Sequence, residues 1–261
     1  MSKPYFMMKA HKYDSKKPYP TLASVKLDGM RFFWDGGASR GLSSDRVPYC
    51  NTAKDVGIKR CTGLYSQYAK IIYAPDWFLD LFPKEYPLDG ELWAGRGNFQ
   101  TVSSICRRQD FTGDWHAISA AICDVPDPYA VLGDRFVEDG KHLVKIFKGC
   151  TGWWRDRGGI LNRPIFRETF ENRYVWLRER HTLVQEPGTL WLNVQRRVTS
   201  RAMIDVMLNE ECDLGGEGIF LKGGYYSSTR SHDALKFKPW HDAEAVVTGY
   251  TDGEDGFVGM V

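Results

Sequence analysis

Lys26-Leu27-Asp28-Gly29-Met30-Arg31 is the stretch from which the rest of this 261-residue chain can be read. A strand-like run at 24–27 enters it, and a second run at 30–35 leaves it through Asp28-Gly29. Asp35-Gly36-Gly37 then predicts a hairpin turning into a strand at 38–43. A K-x-D-G-x-R pattern arises by chance in a chain of this length at a rate on the order of a few per thousand. Taken alone, it also fits a charged strand end feeding a turn.

Three more short patterns follow in order: Asp89-Gly90-Glu91-Leu92, Glu217-Gly218-Ile219-Phe220-Leu221-Lys222 and Lys236-Phe237-Lys238. Each is weak by itself, since a charged strand edge facing solvent produces the same letters. Their conjunction and order carry the signal. Around them, runs at 87–94, 117–125, 218–222, 234–237 and 243–250 read as strands. Helical spacing is clear at 168–180 and 200–211, with Ser200 as a cap, and 68–81 has room for a helix. The stretch 126–167 has weak periodicity and predicts loops and short elements. The class is α+β with mainly antiparallel strands. A boundary is expected near 239–242, and 256–261 reads as a strand with no partner left in the chain.

Composition is globular, with 43% hydrophobic and 26% charged residues. The net charge is only +2, so any nucleic-acid role must rest on local basic patches. The six cysteines contain no C-x-x-C pair and the six histidines no H-x-x-x-H, which argues against a zinc signature and for reduced thiols. The first twenty residues lack an apolar signal region, and no apolar run approaches the roughly 20 residues that span a bilayer. The expectation is a soluble, cytoplasmic monomer with no membrane partner.

The four ordered patterns resemble those of the covalent nucleotidyltransferase superfamily: DNA ligases, RNA ligases and mRNA capping enzymes. More closely, they are similar to the minimal ATP-dependent DNA ligases of phages and bacteria. Ser39-Arg40-Gly41 strengthens the resemblance, as do LDGELWAGRG at 88–97 and DAEAVVTGY at 242–250, the latter like the start of a ligase OB-fold. It runs from Lys9 to the end of the chain and is weakest across 126–167. Neither G-x-x-x-x-G-K-[ST] nor G-x-G-x-x-G occurs.

The resemblance implies an ATP-grasp-like nucleotidyltransferase core of mainly antiparallel sheets with flanking helices. Residues 1–240 would form an adenylation domain and 241–261 the beginning of a truncated OB-fold. It implies ATP and magnesium as cofactors, nicked double-stranded DNA as partner, and Lys26 as the nucleophile that carries AMP. A lysine amine has an ordinary pKa near 10.4, so neutrality at pH 7 needs a shift of about 3.4 units, roughly 4.6 kcal/mol. Burial and neighbouring cations shift it in that direction.

By resemblance, Lys236 and Lys238 are those cations and neutralise the α-phosphate, Glu217 holds the metal, and Glu91 sits near ribose and metal. Arg31 meets the ribose, Lys222 lines the phosphate side, and Arg40 holds the 5′-phosphate of the nick. The family's adenine-stacking aromatic is replaced here by Cys123, while Phe220 stands where the family usually has methionine. Phe220 is therefore expected to face adenine with Cys123 opposite. With little of an OB-fold, weak or absent adenylylation by free ATP and poor affinity for nicked DNA are expected. ATP is favoured over NAD because little chain precedes Lys26. The alternatives are an RNA ligase, a capping guanylyltransferase, or a non-catalytic nick-binding remnant.

Overall fold

The computed structural model describes residues 7–47, 49–51, 57–84, 86–127, 131, 154–156, 159–161, 165–180, 189–239, 250–252 and 258–260. The described strands are β1 (Lys9–Lys12), β2 (Leu22–Val25), β3 (Met30–Trp34), β4 (Leu64–Ser66), β5 (Leu88–Trp93), β6 (Ser119–Asp124), β7 (Trp154–Asp156), β8 (Gly159–Leu161), β9 (Leu190–Leu192), β10 (Arg196–Arg197), β11 (Ile219–Lys222), β12 (Arg230–Phe237), β13 (Tyr250–Asp252) and β14 (Val258–Met260). The described helices are α1 (Asp76–Leu79), α2 (Phe99–Cys106), α3 (Phe170–Arg180) and α4 (Arg201–Asp213). None of them is long and apolar enough to cross a membrane.

Two five-stranded sheets make the core, one ordered β1-β12-β11-β2-β10 and the other β4-β3-β5-β6-β9. Each is antiparallel except for one parallel pair, β1 with β12 and β6 with β9. The sheets are therefore mixed, and otherwise as the alternation in the sequence predicts.

Strand alternation decides which side chains meet the core. In the first sheet Ala23, Ile219, Leu221 and Leu235 point to one face, where Ile204, Met207 and Leu208 of α4 cover them. Ser200 caps that helix, its side chain accepting from the Met203 amide. The intervening residues Ser24, Phe220, Lys222 and Lys236 face away from α4 and line a cleft. In the second sheet Phe32, Trp34, Leu88, Leu92, Ala120 and Ile122 pack into the largest core cluster. Arg31, Asp89, Glu91 and Cys123 alternate with them and line the same cleft.

Several expectations need correction. No strand forms at 38–43, and β3 pairs with β4, the next strand but at residues 64–66, and with β5. Gly36, Gly37 and Gly41 have φ of 75°, 80° and 85°, which coil the segment. The buried Asp35 carboxylate then captures the Ser39 amide and hydroxyl, completing a side-chain-bonded turn. The helix allowed at 68–81 is only the four residues of α1, and α2 carries no expectation at all. The terminal strand has a partner, since β14 pairs antiparallel with β13. Residues 242–249 of the OB-like segment, and most of 126–167, lie outside the described residues.

Candidate active site

The lysine motif is the crossing between the two sheets. β2 ends at Val25 in the first sheet and β3 begins at Met30 in the second, so residues 26–29 bridge them. The Lys26 amide donates to the Gly218 carbonyl at 2.9 Å, tying this crossing to the start of β11.

Glycine is required where the motifs pass close to other backbone. A Cβ on Gly29 would lie 2.1 Å from the Leu92 carbonyl oxygen, and one on Gly90 2.3 Å from that of Ala121. Gly218, at φ +130°, would place a Cβ 2.2 Å from the Phe237 carbonyl oxygen. Gly29 and Gly218 thus mark where motif segments lie in backbone contact with one another, and Gly90 where its segment lies against β6.

The cleft holds about 840 Å³ and is lined by Lys26, Arg31, Glu91, Phe220, Lys222 and Lys236 among others. That volume is in the range of small-molecule and cofactor sites, about 300–1,000 Å³. Glu217 joins through Lys26, whose ammonium donates to its carboxylate, and Lys238 donates to the same oxygen at 2.8 Å. Burial raises the Glu217 pKa, but the bonds from Lys238 and Lys26 prevail and hold it at about 2. Asp28 is pushed up by burial and by its hydrogen bond and repulsion with Glu217. Lys236 is drawn down by burial and by the charges of Arg230, Lys238 and Lys26. Burial pushes the Glu91 carboxyl up to about 8, against the pull of Arg31 and Lys26.

Phe220 and Cys123 both line the cleft, from β11 and β6 respectively, and the Phe220 ring centroid lies 5.8 Å from Lys26 Nζ. Lys222 Nζ lies 4.0 Å from Asp124 and 5.2 Å from the Phe170 ring centroid. The Arg31 guanidinium is already engaged: Nε and Nη2 donate to Asp89 at 2.9 and 2.5 Å, and Nη1 to the Met8 carbonyl at 2.5 Å. Arg40 stands outside the cleft lining, donating to Asp80 at 2.7 Å and to Asp76 at 2.6 Å.

Sequence reasoning missed several residues of this arrangement. Asp89, quoted in its motif without a role, holds Arg31 and accepts from the Tyr226 hydroxyl at 3.0 Å. Asp124 ends the strand opposite and is locked by a buried bidentate pair with Arg173. Asp35 accepts from Ser39 and from Tyr49 at 2.7 Å, and so fixes the backbone next to Arg40. Tyr226, Arg173 and Tyr49 belong to no local pattern, so only long-range contact reveals them.

No family model matches the chain. A 140-residue stretch, 53% of the chain, is 26% identical to a DNA ligase of Haemophilus influenzae, and spans 42% of that protein's length. A Lig E DNA ligase superposes with a TM-score of 0.62 at 23% identity, over 95% of this chain and 74% of that one. The Chlorella virus DNA ligase-adenylate superposes at 0.53 with 14% identity, over 98% and 80%. Over about half its length this chain is similar in sequence to a DNA ligase, and it shares the fold of the DNA ligases on which it superposes.

Proposed function

We propose that the chain is an ATP-dependent DNA ligase that seals nicks through a lysine-AMP intermediate on Lys26. One observation carries the reading: four motifs scattered over two hundred residues place Lys26, Arg31, Glu91, Phe220, Lys222 and Lys236 on one cleft of nucleotide size. The nearness of the Phe220 ring to Lys26 Nζ suits a single nucleotide touching both, with its base between Phe220 and Cys123.

In the first step the Lys26 amine attacks the α-phosphorus, forming an N–P bond while the bond to pyrophosphate breaks. The amine must first lose its proton and leave its ion pair with Glu217. Lys236 and Lys238 meet the charge that develops on the phosphate oxygens. A 5′-phosphate oxygen of the nick then displaces Lys26 from AMP, and the 3′-hydroxyl displaces AMP to form the phosphodiester. Arg40 holds that 5′-phosphate.

The donor set fits magnesium. Among the described residues no group of three or more His, Cys, Asp or Glu forms a ready cage. Glu217, with its hydrogen-bonded neighbour Asp28, offers hard carboxylate oxygens beside Lys26. Magnesium is commonly held by one or two carboxylates, water and substrate phosphates. It would supply charge neutralisation at the phosphates.

Incubation with ATP labelled at the α-phosphate tests the first step. The expected result is alkali-stable, acid-labile label on the wild-type chain, as an N–P bond requires, and none on Lys26→Ala, with pyrophosphate reversing it. Label surviving in Lys26→Ala, or labelling by GTP in preference to ATP, sinks the proposal. A pre-adenylylated nick tests the final step without ATP; absence of sealing there would leave only a nick-binding module.

A further inference from the structure

Lys9 and Arg230 line the same cleft as Lys26 and Lys236, yet neither belongs to one of the four motifs. They are register partners on β1 and β12, at the side of the first sheet away from β2. A bulge brings them toward Lys236. Between Ala10 and His11, the partner on β12 jumps from Ser231 to Leu235. Regular strand would separate Arg230 from Lys236 by about 20 Å, whereas their β1 partners Lys9 and Lys12 span only about 10 Å. The bulged His232 ring stacks on His11 at 3.9 Å and holds this shortening in place. Arg230 is steadied further by its Nη1 bond to the Ala10 carbonyl at 2.7 Å. The result is a wall of like charge. Burial, and then the charges of Arg230, Lys238, Lys26 and Lys9, draw the Lys236 pKa down, so four cations act on one amine. The Glu217 carboxylate is taken by Lys26 and Lys238. Among the described residues neither Lys236 nor Arg230 has a carboxylate partner. Cations gathered without matching acids repel one another until a polyanion joins them.

We propose that Lys9 and Arg230 bind the β- and γ-phosphates of ATP, and inorganic pyrophosphate in the reverse direction. The proposal rests on the reading of the cleft as the place where Lys26 attacks the α-phosphate. Across the first sheet, Ser24 on β2, Phe220 on β11 and Lys236 on β12 are successive partners, with Lys9 and Arg230 beyond them. An α-phosphate held between Lys26 and Lys236 therefore directs its leaving group at Lys9 and Arg230, on the side away from the attacking amine. As the N–P bond forms, the P–O bond that bridges the α- and β-phosphates breaks, and its electron pair leaves on pyrophosphate. Two cations at that position meet the charge as it develops. Once pyrophosphate departs, AMP keeps one phosphate, which stays at Lys26. Lys9 and Arg230 thus serve the first step and have no contact with bound AMP.

The test compares dissociation constants for AMP and for α,β-methylene-ATP, whose carbon bridge prevents AMP transfer, by calorimetry in magnesium buffer. The proteins are wild type, Lys9→Gln/Arg230→Gln and Arg230→Gln, each full length and checked for native circular dichroism. Glutamine keeps much of each aliphatic stem, and AMP binding serves as a second control on the fold. Wild type should bind the triphosphate analogue more tightly than AMP. In the double variant, affinity for the analogue should fall about 10-fold while that for AMP stays unchanged, and inorganic pyrophosphate should compete less well. Arg230→Gln alone should show the same pattern with about a 3-fold loss, and it carries the test if the double variant misfolds. An analogue affinity that is unchanged, or that falls no more than the AMP affinity, overturns the inference. So does a variant that keeps analogue binding but loses affinity for nicked duplex, since the two cations are then DNA contacts. A wild type that binds neither nucleotide is a different failure: it removes the reading of the cleft as an ATP site, and the inference with it.

Discussion

Glu91 is the side chain whose protonation responds most directly to its position. It points into the cleft from β5, opposite Arg31 on β3, and burial raises its carboxyl to about 8. An unfolded chain releases that proton near pH 4.3. The folded state thus holds more protons than the unfolded state across the interval, and stability falls as pH rises through it. In the ligand-free protein, the melting temperature should decline between about pH 4.3 and 8. Glu91→Gln should flatten that decline; parallel wild-type and variant curves would count against the burial argument. Glu217 has the opposite sign. Its pKa of about 2 gives stability present above the ordinary carboxylate range and lost in strong acid.

At the scale of elements, β5 and β6 depend on close backbone approach and on one buried ion pair. A methyl on Gly90 would meet the Ala121 carbonyl oxygen at 2.3 Å and the Phe32 ring at 2.5 Å. Phe32 is fully buried, and the carbonyl belongs to a paired strand, so neither can give way. Gly90→Ala should cost about 3 kcal/mol, the upper range for overpacking, measured by urea unfolding; a change under about 1 kcal/mol would contradict it. α3 is joined to β6 by Arg173 and Asp124, whose side chains are 1% and 2% exposed. Arg173→Met removes one partner and leaves a buried carboxylate, a change that typically costs about 3–5 kcal/mol. Pairing it with Asp124→Leu should recover much of that loss in the same unfolding experiment. The penalty is the orphaned charge, and an apolar pair removes it.

Among the described residues the two five-stranded sheets are joined at residues 26–29, and the proposed nucleotide-binding groups come from both. Phe220, Lys222 and Lys236 come from one sheet, and Arg31, Glu91 and Cys123 from the other. A ligand seated between them stabilises the native state as a unit, by about 2.7 kcal/mol at a hundredfold excess over its dissociation constant. ATP should therefore raise the melting temperature in a single transition. Phe220→Ala should weaken ATP binding by about 1–3 kcal/mol, the usual worth of base–aromatic stacking. Unchanged affinity in that variant would move the adenine slot elsewhere in the cleft.

The sequence by itself pointed to most of the proposed site residues that line the cleft and to most of the strands that carry them. The reason is local. Three of the four motifs carry a glycine required by close backbone contact, and alternation along β5, β6 and β11 separates core from cleft. The helix at 201–213 was legible for the same reason, since its cap and apolar face lie within its own span. Only the tertiary structure decided the rest. The coil at 36–42 follows from Asp35 burial, which depends on Tyr49 and Tyr65. Arg31 is locked by Asp89, which accepts from Tyr226 137 residues further on, and Asp124 by Arg173, 49 residues away. The carboxylates that hold Arg40 arrive from a four-residue helix 36 to 40 residues away. None of these has a periodic or motif signature, because the energy that selects them arises only when distant segments exclude water together.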